Sequence, residues 1–154
     1  MVDDEQRNLP PDVTASPWET CALEDGEAEV GTYRVQYRVM RRDLPTALGG
    51  PDLPGFVGRL PDKTRFMVSE DVAPEDRPYC VVHEHIEFNE LEGRPGSCAA
   101  ALEKELALVP EEQRPIYIER RRAFFQRLVD YYKASKDEAF KAEIAASLAY
   151  LETL

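Results

Sequence analysis

The period of the apolar residues changes once along this chain, near Pro74, and that change limits the folds open to it. Before it, Tyr33, Val35, Tyr37 and Val39 alternate with Arg34, Gln36 and Arg38, which is the period of a strand with one buried face. Phe56 to Leu60 and Thr64 to Ser69 read as two shorter strands around Pro61-Asp62, a hairpin. Residues 43–55 carry Pro45, Gly49, Gly50, Pro51, Pro54 and Gly55 and read as a loop. After Pro74 the apolar residues recur at helical spacing. A first helix is expected from about Glu75 to Leu91, with Pro74 and Pro78 in its first turn and Gly93 and Pro95 beyond its end. Further helices are expected from Ser97, as the cap, to about Val109, from about Glu111 to Ala134, and from Asp137 to Leu151. Strands first and helices afterwards predict an α+β domain: a small N-terminal antiparallel sheet followed by about four helices.

Residues 1–28 stand apart. Asp3-Asp4-Glu5, Pro10-Pro11 and Glu24-Asp25-Gly26-Glu27 leave few large apolar groups to offset the entropy of ordering. They are expected to form an acidic, flexible tail on a single domain spanning 29–154. Trp18, the only tryptophan, is expected to pack on that domain.

Charge and cysteine content narrow the function classes. A net charge of −11 opposes binding to the phosphates of nucleic acid. Cys21, Cys80 and Cys98 are odd in number and far apart, which suggests neither a disulfide framework nor a zinc knuckle. No apolar run is long enough to span a membrane and no signal segment opens the chain. The expectation is a cytoplasmic protein whose partner is a peptide or protein, with no nucleic acid and no membrane.

The stretch from Tyr79 to Glu90 holds both histidines of the chain. Wound as a helix, it turns Val81, Val82, Ile86 and Phe88 to one side and His83, Glu84, Glu87 and Glu90 to the other. His83 and Glu87 are four apart, so their side chains lie one above the other and can grip one ion. His85 points toward the apolar flank, as a core or boundary histidine. Wound as a strand, His83 and His85 would instead share a face in the manner of a cupin motif, but the chain beyond them is helical and contains no further histidine.

Two charges sit on apolar faces. Glu105 projects from the face formed by Cys98, Leu102, Leu106, Leu108 and Val109, and Arg121 from the one formed by Tyr117, Phe124, Phe125, Leu128, Tyr131 and Tyr132. A buried charge is costly unless it is paired or bound to metal. Glu105 therefore needs a cation, either a metal shared with His83 and Glu87 or Arg121.

A strand, a short acidic connection and a helix carrying His83-Glu84-His85-Ile86-Glu87 together resemble the zincin metallopeptidases, most of all the small gluzincin-like group that includes the peptidase domains of phage-immunity regulators. In their H-E-x-x-H helix the histidines bind zinc and the glutamate polarises water, and a later glutamate completes the site. The resemblance covers roughly residues 57–109 and implies a peptidase. On it, His83 matches the first ligand, Glu84 the general base and Glu105 the downstream glutamate, while Glu87 stands where the second histidine belongs. The implied metal site is His83, Glu87 and Glu105 around a divalent ion, zinc or manganese, with two carboxylates favouring a harder ion than two imidazoles would. The alternative is a non-catalytic relative that binds a partner, with Glu105 neutralised by Arg121 and no metal.

Overall fold

A computed structural model describes residues 16–154 of the chain. Six helices and a four-stranded sheet make up the described fold. A short helix α1 (Pro17–Thr20) leads into β1 (Ala22–Val30) and β2 (Tyr33–Met40), and a second short helix α2 (Leu44–Ala47) interrupts the expected loop. The strands β3 (Val57–Arg59) and β4 (Phe66–Ser69) follow. The long helices are α3 (Arg77–His85), continued by a π-helical turn over Ile86–Glu90, then α4 (Ser97–Leu108), α5 (Arg114–Tyr131) and α6 (Glu138–Glu152). The predicted α+β order therefore holds.

The sheet is mixed rather than antiparallel throughout, with strand order β1-β2-β4-β3. β1 with β2 and β3 with β4 are antiparallel hairpins, but β4 lies parallel to β2, pairing Tyr37 with Phe66 and Val39 with Val68. The chain leaves β2, crosses through α2 and places β3 on the outside edge, so the second hairpin docks by its later strand. Sequence periodicity identifies strands but not which of two hairpin strands docks.

β1 lies inside the stretch expected to be a tail. From Ser16 onward that stretch belongs to the fold, and residues 1–15 lie outside the described residues. Only Ala28 and Val30 of β1 are buried, so its own apolar content is slight, as its composition suggested. What holds it is the partner strand: Glu27, Asp25 and Glu29 face Gln36, Arg38 and Arg34 across the ladder. Arg38 Nε donates to Asp25 Oδ1 at 2.7 Å and Gln36 to Glu27 at 2.8 Å. Gly26 pairs with Tyr37, and a Cβ there would lie 2.9 Å from the tyrosine ring, so the glycine lets the ring fold across the strand. Trp18 packs on the small cluster of Cys21, Met40, Leu44, Phe56 and Leu60.

The core has two main parts, with α3 between them. Val35, Val39, Phe66 and Val68 of the sheet meet Val81, Val82 and Ile86 of the α3 segment and Ala101 of α4. Behind it, Cys98, Leu102 and Leu106 of α4, Phe125 and Leu128 of α5, and Ile144 and Leu151 of α6 form the second part. The polar side chains of α3 thus face a helical core rather than open solvent. Gly96, not Ser97, stands at the N-cap of α4, with φ of 86°. Ser97 is buried inside the first turn and makes no capping bond. The carboxylate of Glu143 on α6 takes over, accepting from Gly96 N at 2.7 Å and Cys98 N at 3.2 Å. No helix of the described residues is long and apolar enough to cross a membrane.

Candidate functional site

His83 sits near the middle of the helical layer, 2% exposed, and both ring nitrogens are engaged. Nδ1 lies 2.8 Å from Glu105 Oε1, and Nε2 lies 3.1 Å from Glu87 Oε1. The second contact spans one helical turn, as the four-residue spacing predicts. The ring stays aligned with Glu87 although the helix loosens to π winding at Ile86, where Leu91 N donates to Ile86 O at 2.9 Å. Such turns recur at functional sites because they re-aim a face of the helix without ending it.

Glu105 is fully buried, and its oxygens are both occupied. Oε1 takes His83 Nδ1 and, at 3.1 Å, Arg121 Nη2. Oε2 accepts from the Tyr117 hydroxyl and lies 2.9 Å from Arg121 Nε. That last pair has no hydrogen-bond alignment, so Nε is attracted without being bonded. The two charges that the sequence places on apolar faces, Glu105 and Arg121, meet here as a direct, buried ion pair. Arg121 Nη1 also reaches Cys80 Sγ at 3.6 Å.

The titration of these groups is set by their neighbours. Burial opposes charge on His83, yet the hydrogen bonds to Cys98, Glu105 and Glu87 outweigh it and hold the ring well above its usual value. Burial likewise opposes ionisation of Glu105, and Arg121 and His83 overcome it, so the carboxyl is held low. Glu105 in turn keeps Arg121 charged despite burial. Tyr117 is pushed far up by burial, with Cys80 and Glu105 adding to it.

Glu84 behaves differently. It is partly buried and accepts no hydrogen bond from the described residues. Desolvation pushes its carboxyl up to about 7, with His83 pulling down and Glu87 pushing up. A group poised near neutrality can both take and return a proton. Glu84 lines a cavity of about 130 Å³ together with His83, Glu87, Cys98, Phe124 and Phe125. That volume suits a side chain rather than a whole drug-sized ligand.

Of the expected ligands, His83 and Glu87 meet at Nε2, whereas Glu105 lies on the opposite nitrogen. The third donor near Nε2 is Cys98 Sγ, at 3.7 Å. Ligand atoms of His83, Glu87 and Cys98 all lie within 4.8 Å of one another. Sequence reasoning placed Cys98 only on an apolar face. The available signal was its position seven residues before Glu105, two turns earlier on the same face of α4. Tyr117, Glu143 and Ser147 were also unassigned, because each acts across helices. His85 stands as expected at a boundary, edge-on to Tyr33 and Phe66 with Nδ1 3.1 Å from Asn89 Nδ2.

No protein family, no curated protein and no solved structure matches this chain. The chemistry of the site therefore rests on its own geometry.

Proposed function

We propose that the chain is a metal-dependent hydrolase of zincin-like type, acting on a peptide. The observation that carries this reading is the division of labour on His83: Glu105 occupies Nδ1, so Nε2 is the nitrogen turned to Glu87 and to the cavity that Glu84 lines. A carboxylate on one ring nitrogen is the usual partner of a histidine whose other nitrogen binds metal, because it fixes the tautomer and raises basicity. The two donor separations at Nε2 suit such an ion. A tetrahedral zinc site separates its nitrogen and oxygen donors by ~3.4 Å and its nitrogen and sulfur donors by ~3.6 Å, from the usual bond lengths, against 3.1 and 3.7 Å here.

Bound at His83 and Glu87, a divalent ion would polarise a carbonyl oxygen and acidify water. Glu84 would take the proton of the attacking water and pass it to the leaving amine, a role its position near neutrality supports. Glu105 would hold His83 in place from behind, with Arg121 and Tyr117 keeping that carboxylate fixed. The test is the zinc-loaded protein against unfolded protein substrates, beside Glu84→Gln. Cleavage that falls by at least about a hundredfold in Glu84→Gln, with metal content unchanged, is the expected result. Equal cleavage by both, or no cleavage by a protein that holds its metal, contradicts the reading.

The Glu105–Arg121 pair favours a second reading, a binding module without metal. In it His83, charged, donates to Glu105 and Glu87 and locks α3 to α4. The two readings part on whether an ion displaces that proton.

A further inference from the structure

We infer that Cys98 is a ligand of the metal, and that its thiolate makes this a site for zinc-like ions rather than for manganese. The inference rests on the metal-centre reading and replaces the downstream glutamate with a sulfur.

Glu105 cannot approach Nε2, because its oxygens are held on the far side of the ring by His83 Nδ1, Tyr117 and Arg121. Cys98 occupies the place left open. It is buried, 6% exposed, in the first turn of α4, with Sγ 3.7 Å from Nε2. Binding releases the Sγ proton and the His83 Nε2 proton to solvent as the sulfur and the nitrogen engage the ion.

The surroundings of Cys98 come from α6. Ser147 is fully buried, and its hydroxyl donates to Cys98 Sγ at 3.1 Å. Glu143, one turn earlier on α6, accepts from Cys98 N and Gly96 N. One helix therefore fixes both the backbone and the sulfur of the same residue. The buried hydroxyl thus has the Cys98 sulfur as its acceptor and aims its dipole at it. Hydrogen bonds from outside the ligand set orient the atoms that bind a metal, and Ser147 is placed to do this for Sγ. A sulfur, an imidazole and a single carboxylate select zinc, cobalt and cadmium over manganese and magnesium, because hard ions prefer oxygen.

The test is optical and uses the full chain. Cobalt is titrated into the chelator-treated protein, and the near-ultraviolet absorption of a cobalt–thiolate bond is monitored. The expected result is a thiolate band at about one cobalt per chain, retained in Cys21→Ser and lost in Cys98→Ser. Zinc K-edge absorption of the unaltered protein, which needs no variant, should find one sulfur at about 2.3 Å. Ser147→Ala should keep the band and weaken zinc binding by about tenfold. Cobalt bound with no thiolate band, or zinc with no sulfur neighbour, overturns the role of Cys98 and leaves the metal centre standing. No binding of cobalt or zinc at all overturns both.

Discussion

Replacing both members of the Glu105–Arg121 pair should harm the protein far less than the two single replacements imply. Both side chains are buried, and their atoms approach to 2.9 and 3.1 Å. Arg121→Met leaves a buried carboxylate that still holds His83 and Tyr117, so the cost falls near the lower end of the range for a broken buried pair, about 3 kcal/mol. Glu105→Leu strands the guanidinium and also removes the acceptor of His83 and Tyr117, which puts it near the upper end, about 5 kcal/mol. In the double variant no guanidinium is stranded. The losses left are the unpaired His83 Nδ1 and Tyr117 hydroxyl, at about 2 kcal/mol each. Coupling of about 4 kcal/mol is expected. Urea denaturation of the four proteins in chelator measures it, with Glu105→Gln as a gentler substitute if Glu105→Leu does not fold. Single effects that add to within about 0.5 kcal/mol would refute the pair as an energetic unit.

How far this arrangement could be read from sequence depends on where its causes lie. The helical wheel finds Glu105 and Arg121 because a charge on an apolar stripe is a local anomaly, visible along one helix. The His83–Glu87 contact is likewise local. β1 is hidden because only two of its side chains are buried, and its support comes from Arg34, Gln36 and Arg38 across the ladder. The parallel docking of β4 is hidden because periodicity does not say which strand of a hairpin docks. Which side of the His83 ring Glu105 takes depends on the placing of α4 against α3, which no spacing encodes. Cys98 was legible as an apolar position and nothing more, since Ser147 and Glu143 reach it from more than 40 residues away.

Single groups carry the remaining predictions. In chelator, Glu84→Gln should become more stable relative to the parent as pH rises from 4.5 to 7. The parent's carboxyl is held at about 7 against an ordinary 4.5, so the folded state favours its protonated form, and that advantage is lost through this window. The gain is up to about 3 kcal/mol, and denaturation curves with a constant difference between pH 4.5 and 8 would rule out the elevated carboxyl. The metal-free parent should also lose stability as pH climbs above 6.5, since His83 is held charged well beyond it. A melting temperature that rises there instead would contradict the charged ring. Gly96→Ala should cost about 1 kcal/mol through left-handed strain alone, because nothing lies within 4 Å of the added carbon. Asp137→Ala should cost about 1 kcal/mol by removing the cap that accepts from Phe140 N at 3.0 Å. Thermal denaturation of each variant decides both.

The most direct measurement is the divalent metal content of protein purified without chelator or affinity-tag metal, then reconstituted with zinc and dialysed. About one ion per chain is expected in the parent protein, removable by chelation with a fall in melting temperature, and none in His83→Ala. A parent protein that retains no ion, or a His83→Ala variant that retains as much as the parent, would contradict the metal centre.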